Sequence, residues 1–322
     1  MTGLSEREII RILTNQFSVQ PGVPFGFDDD VSAIPFSAKT WIIVKTDMLV
    51  GSTDIPPGVT VQEAARKAVV ATVSDFAAKG VRPKALMVSL GLPAPAKKMT
   101  VQDIARGLGQ AAREYQCKII GGDTNQAGDL VIDIAGIGFA DPKTLIRRDG
   151  ARPGDIVAVT GPFGKTSAGL RILMSRKKKD LSNYPSLVKA VCRPTARIKE
   201  GIVLAKSRAA TSSIDSSDGL AWSLHQIAHS SKVGINLHSI PVAPEAETFA
   251  KEHRLSAFEL ALYGGEEYEL VVTIKPERFD DLKKRVPSLT RIGLVEKESF
   301  GVVAHLAGKR IQLKERGWEH FT

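Results

Sequence analysis

The chain holds 322 residues with a formal net charge of +9, six histidines and two cysteines. That length supports two domains and a sizeable core, and Cys117 and Cys192 fit neither a disulfide framework nor a metal spacing. No apolar run approaches the ~20 residues of a bilayer span, and the polar start Met1-Thr-Gly-Leu-Ser-Glu-Arg-Glu8 lacks a signal core, so a cytoplasmic protein without membrane association is expected. The positive balance attracts polyanions, nucleotides and phosphate esters among them. The basic run Arg176-Lys-Lys-Lys179 has no aromatic ladder or binding motif beside it, so no nucleic-acid partner is expected.

In chain order, Ser5–Leu13 has the pattern of a short amphipathic helix, and an acidic loop follows over 26–34. Thr40–Thr46 is apolar like a buried strand and ends at Asp47, and Asp54-Ile-Pro-Pro-Gly58 is a loop. Thr60-Val-Gln-Glu63 has capping-box spacing and opens a helix reaching Lys79, stopped by Gly80 and Pro83. Asp75 falls on its last turns, where an unpartnered carboxylate is costly. A strand over Ala85–Leu92, a helix over Thr100–Gln116 and a strand over Cys117–Ile120 lead into Gly121-Gly-Asp-Thr124. Leu130–Ala140 is a strand whose Gly136 and Gly138 suggest a close approach or bulge.

Arg147-Arg-Asp-Gly-Ala-Arg-Pro-Gly-Asp155 is polar and reads as a domain boundary, dividing 1–146 from 147–322. After it come a strand over Asp155–Thr160 and helices over Pro194–Ala205 and Asp218–His229. A strand over Val233–Ile240, a helix over Pro244–His253 and a strand over Tyr268–Ile274 follow. A helix over Phe279–Val286 precedes a final strand, a hairpin at Gly308-Lys309 and the tail Gly317-Trp-Glu-His-Phe-Thr322. Strands and helices alternate in both halves, so the class is α/β or α+β with two domains. Gly161-Pro-Phe-Gly-Lys-Thr166 opens a helix but is no P-loop: only two residues separate its glycines, where that motif needs four.

The chemistry concentrates in carboxylates. Gly26-Phe-Asp-Asp-Asp-Val-Ser-Ala-Ile34 gathers three in a row, and Asp47, Asp75, Asp123, Asp215 and Asp218 stand at the ends of apolar segments or among small residues. Each alone reads equally as a turn or cap residue. Together, with no histidine or cysteine beside them, they suit a hard cation taking oxygen ligands. The histidines stand in no metal or triad spacing, so nucleophilic catalysis of the Ser-His-Asp or Cys-His kind is not indicated.

These motifs, in order, resemble the thiamine-monophosphate kinase family of the aminoimidazole ribonucleotide synthetase-like (PurM-like) superfamily. The resemblance spans nearly the whole chain. It rests on Asp29-Asp-Val-Ser-Ala-Ile34, Thr46-Asp-Met48, Ser74-Asp-Phe-Ala-Ala78, Gly121-Gly-Asp-Thr124 and Arg148-Asp-Gly-Ala-Arg-Pro-Gly-Asp155. It rests further on Ile214-Asp-Ser-Ser-Asp-Gly-Leu220, Gly264-Gly-Glu-Glu-Tyr-Glu-Leu270 and Gly317-Trp318. It implies a two-domain α+β fold of α/β type, with N-terminal domains pairing across a homodimer into a β-barrel and a C-terminal α/β sandwich. It implies ATP-dependent phosphorylation of thiamine phosphate to thiamine diphosphate, with several Mg2+ ions. Carried over residue by residue, Asp30, Thr46, Asp47, Asp75, Asp123 and Asp215 are magnesium ligands, with Asp218 on a further ion. Gly122, Asp123, Arg148 and Ser217 contact ATP, and Glu266 and Trp318 contact the thiamine part. Asp47, Asp123, Arg148 and Asp215 carry the catalysis. Four positions depart from the family pattern: Asp28 stands for a glycine, Lys45 for a hydroxyl residue able to bind metal, Asp54 for a substrate-contacting histidine, and Glu267 for the aspartate of a Glu-Asp-Tyr pattern, here Glu266-Glu267-Tyr268. Two other readings remain: a superfamily relative with an amide or selenide acceptor, and a non-catalytic nucleotide-binding scaffold. The selenide reading calls for a reactive cysteine near the N-terminal loop, and none stands there.

Overall fold

The structure, a computed structural model, describes residues 4–17, 29–175, 178–306 and 308–318. Gly26 to Asp28, Arg176 with Lys177 and the tail beyond Trp318 lie outside the described residues.

The first half contains α1 (Glu6–Gln16), β1 (Ser32–Ser37), β2 (Thr40–Val50), α2 (Gly51–Asp54), α3 (Val61–Ala78), β3 (Pro83–Leu92), α4 (Lys98–Tyr115), β4 (Lys118–Gln126) and β5 (Val131–Ala140). Its five strands form one sheet in the order β1-β2-β5-β3-β4, antiparallel except for β3 beside β4. The rest contains β6 (Ile156–Val159), α5 (Lys165–Ser175), α6 (Lys178–Asn183), α7 (Pro185–Cys192), α8 (Ile198–Ser207), β7 (Ala210–Asp215), α9 (Leu220–Ser231) and β8 (Val233–Leu237). It continues through α10 (Pro244–His253), α11 (Ala257–Tyr263), β9 (Leu270–Ile274), α12 (Phe279–Arg285), β10 (Thr290–Lys297), β11 (Val302–Leu306) and β12 (Lys309–Gln312). Seven strands here form a second sheet in the order β12-β11-β8-β10-β6-β9-β7, with β11 parallel to β8. The class is α+β, as the alternation of elements indicates.

Sequence and structure differ at several ends, each with a physical reason. The short apolar run after the acidic triplet pairs with β2 and becomes β1. β2 runs on through Asp47 to Val50, because β5 continues to pair with it. β4 runs through Gly121-Gly-Asp-Thr124 because β3 pairs with it as far as Gln126. The polar segment Ala210–Asp215 is a strand: its serines and threonines lie against β9, where alternation carries little hydrophobic signal.

α3 is the centre. Thr60 and Glu63 form the capping box that the spacing indicates, and the helix is buried almost all round, from Ala64 to Ala78 with only Ala71 half-exposed. A helix so placed is normally apolar all round. Here it carries Arg66, Lys67, Ser74 and Asp75, with Lys79 at its C-cap, and each has a defined partner. Phe76 points into the first sheet, fully buried, and explains two glycines of β5. A Cβ at Gly136 would lie 2.6 Å from the Phe76 ring, and one at Gly138 would lie 3.0 Å from it. On the other side α3 meets α8 backbone to backbone. A Cβ at Gly80 would lie 2.2 Å from Ala205 Cβ, and one at Gly201 would lie 2.0 Å from the Ala77 carbonyl oxygen. One core thus joins both sheets through α3, α4 and α8, from Ile132 and Ile134 to Leu270 and Val272.

Candidate active site

Strand alternation decides which side chains reach α3. On β2, Ile43, Lys45, Asp47 and Leu49 face inward, whereas Thr46 and Met48 face outward. Lys45 Nζ lies 2.7 Å from Asp75 Oδ2. β7 ends at Asp215, whose Oδ2 accepts a hydrogen bond from Ser74 Oγ of α3 at 2.6 Å. Asp30, just before β1, completes the centre: carboxylate oxygens of Asp30, Asp75 and Asp215 all lie within 4.8 Å of one another, and all three residues are buried.

The charges around this triad fall into two sets. Asp29 and Asp30 meet Lys79 and Arg148. Lys79 Nζ lies 2.5 Å from Asp29 Oδ1 and 2.8 Å from Asp30 Oδ2, and donates to the Ser213 carbonyl at 2.7 Å. The Arg148 guanidinium pairs with Asp30 Oδ1, and its backbone N–H donates to Asp29 Oδ2 at 3.0 Å. Burial pushes the Asp30 carboxyl up, but Lys79 and Arg148 outweigh it and hold it down at about 2. Asp47, Asp75 and Asp215 have less to balance them. Burial pushes Asp75 well above the usual carboxylate range, with Lys45 opposing and Asp215, Asp47 and Asp30 adding to it. Burial and then Asp30 push Asp215 up to about 7 against its Ser74 hydrogen bond. Burial raises Asp47 as well, against Lys45. Lys45 feels the converse: burial lowers it, but Asp75 and Asp47 hold it well above the usual lysine range. Three carboxylates against one ammonium leave two negative charges in excess, the charge of one divalent ion. The donors are all oxygen and uncompensated, which fits a hard cation such as Mg2+. Among the described residues, Arg148 Nε and Ser216 Oγ are buried without a hydrogen-bond partner, a donor and a hydroxyl open to a polar ligand.

The other expected site residues are more dispersed. Thr46 Oγ1 donates to Asp133 Oδ1 at 2.7 Å on the outer face of the sheet, so its side chain does not join the triad. Asp123 is exposed on the edge strand β4 in register with Ser89, its Oδ1 accepting the Thr124 N–H at 2.9 Å. Gly122 lacks room for a side chain for a local reason: a Cβ there would lie 1.8 Å from the Val88 carbonyl oxygen. Asp54 Oδ2 accepts the Val50 N–H at 2.7 Å, which commits that oxygen to closing the α2 turn.

Glu266 is placed by backbone pairing. Its N–H donates to the Ser217 carbonyl at 2.6 Å, and the Tyr268 N–H donates to the Ser216 carbonyl at 3.1 Å. Glu266 and Tyr268 both take left-handed φ values, 62° and 53°, away from the helix C-caps where the other left-handed non-glycine residues described, Gln116, Arg208, Lys232 and Arg254, stand. Trp318 is half-exposed and is anchored beside this segment by its N–H, which donates to the Asp218 carbonyl at 3.0 Å. A fully formed Lys67 ion pair, 2.5 Å to Glu266 Oε1 and 2.8 Å to the Asp54 carbonyl oxygen, joins the two proposed substrate positions. Sequence reading missed Lys67. Its one available signal is a lysine within a helix otherwise fit for a core.

Glu266 and its neighbours also line a cavity of about 150 Å³ with Pro162, Lys165, Thr166, Arg193 and Arg197. Beside it Glu267 Oε1 accepts the N–H groups of Gly164 and Thr166 at 2.6 and 3.1 Å. The helix start that mimics a P-loop therefore already holds an acceptor, the Glu267 carboxyl of the protein itself. Elsewhere two histidines passed over in the sequence converge: His225 and His229, at the i, i+4 spacing of one helix face on α9, bring ring nitrogens within 4.8 Å of a Glu315 oxygen.

Comparison with known proteins places these features in context. Residues 28–140 match the family model for AIR synthase related protein, N-terminal domain. The chain is 38% identical to the thiamine-monophosphate kinase of Nitrosopumilus maritimus over all of both chains. It is 38% identical to that of Pyrococcus horikoshii over 99% of this chain and 97% of the relative. The solved structure of AaThiL complexed with AMPPCP and TMP superposes with a TM-score of 0.87 at 28% identity, covering 99% of each chain.

Proposed function

This chain belongs to the thiamine-monophosphate kinase family, and we propose that the buried carboxylates around α3 are where it carries out that family's reaction. The reaction is ATP-dependent phosphorylation of thiamine monophosphate to thiamine diphosphate. The acceptor is a phosphate monoester, already ionised near neutral pH (second pKa about 6). No strong general base is therefore required, in keeping with a site built from aspartates. The difficulty is bringing two polyanions together, so positioning and charge neutralisation carry the catalysis.

Asp30, Asp75 and Asp215 would hold Mg2+, with Asp47, Asp123 and Asp218 as further ligands, and the ions would supply the counter-charge that two polyanions need; the Thr46 side chain, bonded to Asp133 on the outer face, is not among these ligands. Arg148, with its unpartnered Nε, and Ser217 and Gly122 face the nucleotide phosphates. Glu266, Trp318 and Asp54 hold the thiamine part, and Asp54 acts by fixing Lys67 against Glu266. Residues 1–146 and 147–322 form the two units of the fold. The outward apolar row Ile34, Phe36, Met48, Met87 and Phe139 is the face on which a second copy closes the barrel. No helix is long and apolar enough to cross a membrane among the described residues, and the site of action is the cytoplasm.

The observation that carries this reading is the buried Asp30–Asp75–Asp215 triad, beside which Asp47, Asp75 and Asp215 share one ammonium and leave two charges uncompensated. The test is incubation of the purified protein with ATP, Mg2+ and thiamine monophosphate, with thiamine diphosphate followed by chromatography and free thiamine in parallel. Diphosphate is expected from the monophosphate alone. ATP consumption with no thiamine product would overturn the acceptor.

A further inference from the structure

Lys45 is the unusual member of the centre. Strand alternation turns it inward with Asp47, and its ammonium sits 2.7 Å from Asp75 Oδ2 with only 26% of the side chain exposed. A hydroxyl on this strand would be neutral and shorter, and would leave that oxygen open to a metal. The ammonium instead occupies a coordinating oxygen of the most crowded carboxylate and removes one unit of the excess charge. We propose that Lys45 is a resident cation in place of one divalent ion, so that this chain assembles its carboxylates and works with fewer bound metals.

The inference rests on the metal reading of the aspartates. Two properties follow. The cluster is held together before any metal arrives, because the largest repulsion, around Asp75, is already partly balanced. Removing the ammonium also creates a new ion site rather than merely weakening the existing ones, since it frees Asp75 Oδ2 and restores a full negative charge.

The test is Mn2+ binding to the full-length protein by equilibrium dialysis with a non-hydrolysable ATP analogue, for wild type, Lys45→Ser and Lys45→Arg. Lys45→Ser is expected to take up one more Mn2+ per chain, and Lys45→Arg, which keeps the charge, to match wild type. Thermal unfolding gives a second readout that needs no activity. In EDTA, Lys45→Ser should melt lower than wild type, and Mg2+ should raise its midpoint by about 4 °C more than it raises wild type's. Equal Mn2+ numbers and equal Mg2+ shifts in wild type and Lys45→Ser would overturn the role of Lys45 while leaving the metal centre standing. An extra ion in Lys45→Arg would overturn it as well. Wild type binding no Mn2+ at all would overturn both this inference and the metal reading beneath it.

Discussion

Asp29 and Asp30 meet two cations, Lys79 and Arg148, whereas Asp47, Asp75 and Asp215, a few ångströms away, share the single ammonium of Lys45 among the described residues. The residue type is the same, yet Lys79 and Arg148 hold Asp30 strongly ionised, whereas burial makes Asp47, Asp75 and Asp215 resist ionisation. The difference separates carboxylates that the fold itself balances from those left for an incoming cation, with Asp30 reaching both through its place in the triad. A carboxylate with its own cation is complete as the chain folds. One left short of positive charge stores a preference for whatever cation arrives, which the fold must carry at some cost. Both sets touch α3, so the helix anchors the first and presents the second.

The largest effect should come from the second set. Asp215→Asn keeps an acceptor for Ser74 Oγ but removes a charge, and is expected to lower thiamine diphosphate formation by at least about 1,000-fold. Its melting point in EDTA should be no lower than wild type's. An active variant in the chromatographic assay would place Asp215 with the scaffold. In the first set the sign reverses. Lys79→Met leaves two buried carboxylates facing Arg148 alone and should destabilise the fold by about 3–5 kcal/mol, read by urea unfolding. Full recovery of that loss by Mg2+ would show that the two sets are interchangeable.

Glu267 gives the smallest and cleanest comparison, because it is uncompensated yet lies away from the aspartates. Burial raises its carboxyl to about 7 against its Thr166 and Gly164 hydrogen bonds. A folded pKa above the unfolded one means the folded state binds the proton more tightly. Stability is therefore highest below the unfolded value near 4.5 and is lost as pH rises through about 7. The loss is on the order of 2 kcal/mol, discounted because the side chain keeps some solvent contact. Glu267→Gln should flatten the stability curve between about pH 5 and 8. A curve as steep as wild type's would assign the slope to another group.

Local signals in the sequence carried the regular elements well. The capping box at Thr60 and the span Pro244–His253 are where the pattern puts them, and Asp75 stands on the last turns of its helix as read. α7 and α11 were not legible, because they are short and their apolar faces are shared among one another and α5 and α10. The carboxylates were legible as a set, but their partners were not. Lys79 pairs with residues some fifty positions back, and Lys67 with Glu266, 199 positions on; periodicity reports only neighbours a turn or a pleat away. Arg148 shows the same limit. Its motif points to the nucleotide, but its position was only fixed by Asp30.

The seam between α3 and α8 has a kinetic consequence. Gly80 against Ala205 and Gly201 against the Ala77 carbonyl leave no gap in which the halves could part and rejoin on each turnover. An enzyme hinged across its middle admits substrate by opening; one riveted there must load and empty from the rim. For this chain the pieces at that rim are the 264–269 strap and the segment ending at Trp318, tied to the Ser216–Asp218 turn by backbone hydrogen bonds. Release of the diphosphate should be paced by how fast those small pieces yield, not by a swing of the whole body.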